Sequence, residues 1–156
     1  MKTISVLLGV LFLNGIATSA FAAGDGGAMG KMMHQHTGHA MNDDRIFLGL
    51  SPQMKQHQLS NMRAHMEAVQ SIVGLLAKGE FDQAAQVAHS QLGLTDEMKK
   101  MCGMFGNDKF KNLGLAFHES GDKLGDALQT KDMSKSLQAL HETTGYCVQC
   151  HATFRQ

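Results

Sequence analysis

The chain has almost no proline and no tryptophan. Its 156 residues include one proline, one tyrosine and three cysteines. Because proline breaks the interior of a helix, a single proline allows long uninterrupted helices. Twelve methionines supply flexible apolar side chains, which fill irregular gaps in a core. The composition therefore favours a helical protein with an adaptable core.

Neither sign of charge is in excess. Lys and Arg number 14, Asp and Glu also number 14, and the formal net charge is zero. A balanced charge lacks the basic field that attracts nucleic acid, so we expect no nucleic-acid partner. The length suits one folded domain.

The first residues have the features of a secretory signal peptide. Lys2 supplies the positive start, residues 4–16 are mostly apolar, and Ala-Phe-Ala at residues 20–22 fits a small-residue cleavage site. The apolar run is shorter than the roughly 18 residues expected of a membrane-spanning helix. We therefore expect a cleaved leader over residues 1–22 and a periplasmic location. A retained N-terminal anchor is the alternative.

Residues 23–44 are rich in glycine, histidine and methionine, and the composition predicts a flexible segment. Thioether and imidazole donors suit copper. The candidate donors are Met29, Met32, Met33, His34, His36, His39 and Met41. No two of these histidines have a spacing that specifies a coordination geometry. A polar tail left after leader cleavage is therefore the favoured interpretation, and a copper-capturing arm is the alternative.

The strongest chemical signal is the run Cys-Val-Gln-Cys-His at residues 147–151. This spacing is typical of covalent attachment of a c-type haem. The thiols of Cys147 and Cys150 would add to the two vinyl groups, and His151 would then be held where its imidazole can bind the iron. The sequence predicts one covalent haem c, with His151 as the proximal axial ligand. In bacteria this attachment takes place outside the cytoplasm, in agreement with the predicted leader.

Two other kinds of protein site use a Cys-x-x-Cys spacing. A thioredoxin-like redox pair lies near a βαβ pattern, and no strand-like alternation surrounds this run. A structural zinc site needs four ligands, usually from two such pairs, whereas Cys102 is the only other cysteine. Both alternatives are therefore weaker than haem attachment. Cys102 itself is expected to be buried as a small apolar residue, with cross-linking of a dimer as the lesser alternative.

Residues 45–156 are predicted to form the folded domain, beginning with two helices. Ser51 is the predicted N-cap residue, Pro52 takes the first helical position, and Gly79 ends this helix. Its apolar stripe comprises Leu59, Met62, Met66, Val69, Val73 and Leu76. A second helix begins near Phe81 and is broken at Gly93. It is followed by a short continuation, residues 96–105, with Thr95 as its N-cap.

Two further helices complete the predicted domain. The third follows a turn at residues 106–108 and has an apolar stripe that includes Phe110, Leu113, Phe117, Leu124 and Leu128. Gly114, Gly121 and Gly125 lie along it and lower its helix propensity, so we expect a neighbouring helix or the macrocycle to approach closely. The fourth helix begins after Asp132 as its N-cap and carries the haem motif. No segment is predicted to be a strand.

Four amphipathic helices joined by short loops predict an all-α, antiparallel, up-down-up-down four-helix bundle. In this topology the end of the fourth helix lies beside the start of the first. The end of the second and the start of the third lie at the same end. The haem, attached near the C-terminus of the fourth helix, should therefore have neighbours from residues 54–66, 98–105 and 110–118.

With these features the chain resembles the class II cytochromes c, the cytochrome c-prime family. Residues 147–155 match the closing pattern of that family, Cys-x-x-Cys-His followed by an aromatic residue and then Arg, and residues 54–66 are similar to its first helix. The resemblance covers about residues 51–155. It implies haem at Cys147 and Cys150, axial ligation by His151, and Arg155 near the haem edge or its propionates. Lys55 stands where the family commonly has Arg.

The sixth iron position separates two functions within this resemblance. Low-spin relatives place a Met from the first helix on the iron and carry electrons, whereas c-prime members place an apolar residue there and bind small gases such as nitric oxide or carbon monoxide. Here Met62 is the first choice for a distal ligand, and Leu59, one turn away, would leave the iron five-coordinate. His65 and His118 are rival ligands. Met98, Met101, Met104 and Cys102 are expected to line the pocket.

We therefore predict a periplasmic electron carrier rather than an enzyme. Its expected partners are periplasmic or membrane redox proteins. A gas-binding haem protein is the alternative, and a metal-handling protein that uses the His/Met-rich segment is a third hypothesis. Relatives often dimerise through the first two helices, so the resemblance also implies a homodimer.

Overall fold

The computed structural model describes residues 42–156. The predicted leader, and the candidate copper donors from Met29 to Met41, lie outside the described residues. Within them the chain is mostly helical, in agreement with the predicted all-α class. No helix among residues 42–156 is both long enough and apolar enough to cross a membrane.

The helices follow one another with short connections. They are α1 (Pro52–Ala77), α2 (Phe81–Val87), a π-helix (Ala88–Leu92), α3 (Asp96–Gly103), α4 (Asp108–Gln129) and α5 (Met133–Thr153). The second predicted helix corresponds to α2 together with the π-helix, and its predicted short continuation corresponds to α3. The third and fourth predicted helices correspond to α4 and α5.

Side-chain caps fix where most of these helices begin. Ser51, Thr95 and Asp132 each accept a hydrogen bond from the backbone N–H three residues later, as predicted. Asn107 does the same at the start of α4 with the N–H of Phe110, at 3.0 Å. These bonds satisfy N–H groups that have no partner inside the helix. After α1 the chain turns at Gly79, whose φ of 74° is accessible to glycine without strain.

The π-helix packs tightly against α4, and two glycines permit this approach. A Cβ at Gly121 would overlap the backbone of Leu92, and a Cβ at Gly125 would overlap the ring of His89. The close approach predicted for these glycines is therefore made by a neighbouring helix. The π-helix itself was missed, because the apolar spacing does not distinguish one wide turn from a continuing α-helix.

The apolar core has two parts. The larger cluster is built on α1, α2, the π-helix, α4 and α5, and its fully buried members include Ile72, Leu92, Leu124 and Leu128. The smaller cluster joins Phe105, Phe110 and Phe154, with Cys150 packed at its margin. The Phe110 ring lies edge-on to both of the other rings. The haem motif therefore lies beside a cluster of three phenylalanine rings.

A short parallel ladder joins the beginning of the described chain to its end. β1 (Ile46–Phe47) pairs with β2 (Phe154–Arg155), and Leu48 N donates to Arg155 O at 3.0 Å. The prediction that no segment forms a strand was wrong at these four residues. Strands of two residues are too short to show an alternating pattern, so only the tertiary structure reveals them.

Candidate cofactor cavity

A cavity of about 350 Å³ lies beside the haem motif, among α1, α3, α4 and α5. Most of its wall is apolar, with side chains such as Val69, Met101, Phe105, Leu113 and Phe117. Cofactor sites are typically apolar clefts of this order of size that contain a few convergent polar groups. The arrangement of those groups decides what the cavity can hold.

The predicted haem-attachment residues all lie in its wall. Cys147, Cys150 and His151 occupy the last turns of α5, where spacings of three and four residues place side chains on one helix face. Both cysteines are half-buried and neither forms a disulfide. The structure therefore brings two free thiols and an imidazole to the same apolar space, an arrangement that fits a covalent haem.

The thiols lack the properties of a redox dithiol. Burial raises the pKa of both Cys147 and Cys150, and the neighbouring Cys147 raises that of Cys150 further. Cysteine pairs that exchange disulfides usually have a lowered pKa instead, because the thiolate is the attacking form. The raised pKa of both thiols is therefore unlike that of a typical disulfide-exchanging pair.

The residues that the structure describes do not assemble the ligands of a zinc centre. Within residues 42–156 no three His, Cys, Asp or Glu side chains come together closely enough to hold a metal ion. Structural zinc is almost always held by four such ligands. A haem has a different requirement, because its porphyrin supplies the equatorial donors and the protein needs to contribute only axial ligands.

A second cavity of about 230 Å³ lies next to the first. Four residues line both cavities, namely Met62, Phe110, Cys150 and His151. The structure thus brings the predicted distal ligand, Met62, to the same two spaces as the predicted proximal ligand, His151. Leu59 lines only the second cavity.

A polar side chain, that of Gln156, contacts Met62. Gln156 Nε2 donates a weak hydrogen bond to Met62 Sδ at 3.9 Å. Gln156 Oε1 is buried and has no hydrogen-bond partner among the described residues. Met62 is half-buried, and its sulfur therefore lies at the boundary between the two cavities and the end of the chain.

His65 and His118 form an aromatic pair in the wall of the first cavity. Their ring centroids are 5.3 Å apart, and Phe117 packs against both. His118 is 5 % exposed, and its Nδ1 donates to Leu92 O at 2.9 Å. In the neutral ring this bond places the proton on Nδ1 and leaves Nε2 as the acceptor.

Burial also holds these two imidazoles neutral. Burial, with a smaller contribution from His118, lowers the pKa of His65 to about 4. Burial likewise lowers the pKa of His118, although its bond to the Leu92 carbonyl opposes that shift. Both rings can therefore offer an uncharged nitrogen at neutral pH. Their place in the cavity wall keeps them as rivals to Met62.

The predicted sulfur-rich lining is present only in part. Met98, Met101 and Cys102 line the first cavity, but Met104 is 62 % exposed and lines neither cavity. The prediction for Met104 was wrong, because α3 ends at Gly103 and Met104, its C-cap residue, lies beyond the helical pattern. Cys102 is buried, and its pKa is raised by that burial, as expected of a small apolar residue.

Charged side chains border the second cavity. Arg155 lines it, together with Arg45, which the sequence patterns did not identify. Asp43 lies 3.7 Å from Arg155 Nε and 2.8 Å from Arg45 Nη2. Lys55 is exposed and lines neither cavity. No motif marks Arg45, since its position near the haem motif depends on the pairing of β1 with β2.

No protein-family model, curated protein or solved structure matches the chain. The assignment of this site therefore depends on its residues and their geometry.

Proposed function

We propose that this protein is a c-type cytochrome that carries electrons through one haem, bound covalently to Cys147 and Cys150 with His151 as its proximal ligand. The observation that supports this proposal best is the shared position of these three residues in the wall of one largely apolar cavity. The haem supplies the one-electron chemistry when bound. The chain's own residues hold it, orient it and exclude water from it.

The proposal includes the antiparallel up-down-up-down bundle, with the haem near the C-terminal end of α5. Its support is that α1 packs on α2, α2 on α4, and α4 on α5, with short connections between successive elements. Thr143 Oγ1 also donates to Ser120 O at 3.1 Å, which ties α5 to α4 near their middles. The four long helical segments have the order and loop lengths typical of such bundles.

The position of Met62 favours the electron carrier over the gas binder. A thioether on the iron raises the reduction potential and keeps the sixth position occupied, as in electron-carrying cytochromes c. Met62 lines both cavities together with His151, whereas Leu59 lines only one. If Leu59 covered the iron instead, the site would be five-coordinate and open to nitric oxide or carbon monoxide.

Covalent attachment is tested by the mass of the denatured protein after expression in a host that matures c-type cytochromes. The wild type should carry the added mass of one haem. Cys147→Ala and Cys150→Ala should each abolish stable, acid-resistant retention, and Cys102→Ala should keep it because this buried thiol lies outside the motif. A wild-type protein without haem mass would reject the proposed function.

The sixth ligand is tested by the absorption spectrum of the loaded protein. Met62→Ala should convert a low-spin spectrum to a high-spin one and open the iron to carbon monoxide. Met104→Ala is the matched control, because this methionine is exposed and lines neither cavity. A wild type that is already high-spin would favour the gas-binding alternative. A low-spin spectrum that survives Met62→Ala would point to His65 or His118.

We also propose export to the periplasm through the leader at residues 1–22, with periplasmic or membrane redox proteins as partners. The haem supports this location, since covalent attachment takes place after export. Cell fractionation tests it, and a haem-free protein retained in the cytoplasm would contradict it. The homodimer stays a prediction, and the copper-capturing arm stays the alternative to a polar tail.

A further inference from the structure

Residues 43–48 lie against the haem motif and contact it through one long-range hydrogen bond. Arg45 Nη1 donates to His151 O at 3.2 Å, between residues 106 positions apart in the chain. His151 is the residue expected to bind the iron. The bond therefore connects the beginning of the folded domain to the backbone of the proximal ligand.

This carbonyl needs a partner from outside its helix. The last four carbonyls of an α-helix have no intrahelical donor, and α5 ends at Thr153. Phe154 N donates to Cys150 O, which leaves the next carbonyl, that of His151, without a donor from the helix. The Arg45 guanidinium supplies the missing donor to this carbonyl. Its positive charge is also favourable beside the negative end of the helix dipole.

The guanidinium is itself held in a fixed orientation. Arg45 Nε and Nη2 donate to the two carboxylate oxygens of Asp43, each at 2.8 Å. These hydrogen bonds lower the pKa of Asp43 to about 2, so the carboxylate stays ionised throughout the neutral range. A planar two-bond pair of this kind fixes direction as well as distance.

The backbone around this pair is also anchored. The β1–β2 ladder holds Ile46 opposite Phe154, and Phe154 is buried in the smaller apolar cluster beside Cys150. The guanidinium of Arg155 lies 4.9 Å from the centre of the Phe47 ring, within the range of a cation–π contact. The two residues directly after Arg45 are therefore anchored, which restricts where its guanidinium can point.

We propose that Arg45, oriented by Asp43, is a positioning residue that fixes the backbone of His151 and thereby the orientation of the proximal imidazole. This inference rests on the proposed function, since it assigns Arg45 a role in iron ligation. Contacts behind an axial ligand set its orientation and adjust the metal. Loss of the bond should let His151 change its angle to the haem while both thioether bonds remain.

The test compares haem-loaded, full-length Arg45→Gln with Arg63→Gln. Arg63 is an exposed arginine on α1 that lines neither cavity, so its loss controls for the removed charge. The readouts are the paramagnetically shifted NMR resonances of the His151 ring and the reduction potential, measured well below the unfolding temperature. Arg45→Gln should shift both, and Arg63→Gln should leave both at wild-type values.

Two further variants separate orientation from charge and from folding. Asp43→Asn keeps Arg45 but weakens its fixed orientation, and should shift the same resonances by a smaller amount. Arg45→Lys keeps the charge but has no planar fork, and should fail to restore the wild-type signals. Thermal unfolding of each variant shows whether a shift accompanies general loss of structure.

The measurements separate failure of the positioning role from failure of the proposed function. A protein without haem mass rejects the proposed function, and the positioning role falls with it. Attached haem with unchanged His151 resonances and potential in Arg45→Gln rejects the positioning role alone. Full restoration by Arg45→Lys would also overturn it, because a charge at the helix end would then be sufficient.

Discussion

The helical domain has a tightly packed region and a region that borders cavities, and side chains pack differently in the two. Around Ile72, Leu124 and Leu128 the helices interlock, and these side chains have no exposed surface. Around Cys147 and His151, side chains of α1, α3, α4 and α5 line the cavities instead. Direct packing in the first region stabilises the domain without a cofactor. In the second region the side chains make fewer contacts and therefore gain less dispersion energy. They leave a cavity wall that a flat ligand can contact.

The largest expected effect concerns the packed region. Leu124→Ala should lower the free energy of unfolding by about 2–5 kcal/mol, because it removes a fully buried side chain from an interlocked core. Met101→Ala, in the cavity wall, should cost distinctly less in the haem-free chain, since one side of that residue already borders a cavity. Urea unfolding followed by circular dichroism measures both. Equal losses would contradict the contrast between the two regions.

A smaller effect concerns pH and the cavity wall. The pKa of His65 is about 4 in the folded chain and 6.5 as the ordinary value, so the unfolded state binds its proton first as pH falls. Stability should therefore be complete above pH 6.5 and fall progressively towards pH 4, by at most about 3 kcal/mol from this group.

The haem-free double variant Cys147→Ser, Cys150→Ser is the form in which to measure that pH dependence, by urea unfolding at several pH values. His65→Phe in this background should flatten the slope between pH 6.5 and 4. His57→Phe is the control, because that histidine is exposed on the same helix. A slope that persists without His65 would assign the pH dependence to other groups, with His118 the first to examine.

The smallest expected effect concerns the contact between the π-helix and α4. Gly121→Ala should destabilise the domain by about 1–3 kcal/mol, because the added methyl group overlaps the Leu92 backbone. Gly74→Ala is the matched control within α1, where the added methyl group meets no atom within 4 Å. It should be neutral or stabilising by up to about 1 kcal/mol, since alanine favours helix more than glycine does. Thermal unfolding measures both, and a neutral Gly121→Ala would contradict the close approach.

The helices were predicted well because their signals are local. Ser51, Thr95 and Asp132 act as caps at the positions where the sequence places them. The haem motif is also local, since its three residues lie within one and a half turns of helix. Met62 was selected from an apolar stripe and lines the cavities as expected, although its bond to iron stays a prediction.

The parts that were missed depend on contacts between distant segments. Asp43 lies within the segment predicted to be flexible and Arg45 directly after it, and Arg45 reaches His151 only because β1 pairs with β2. Met104 follows the same apolar spacing as Met101 but lies beyond the end of α3, where a helical pattern no longer predicts direction.

The sequence by itself determined the helical class, the helix caps and the place of the Cys-x-x-Cys-His run at residues 147–151 on the last helix, while the haem chemistry of that run stays a prediction. These depend on backbone hydrogen bonding and on residue types a few positions apart. Only the tertiary structure decided which side chains border the cavities with His151, that His65 and His118 form an aromatic pair in the cavity wall, and that Arg45 reaches the His151 carbonyl. Those features depend on how separate helices approach one another, which no local spacing encodes.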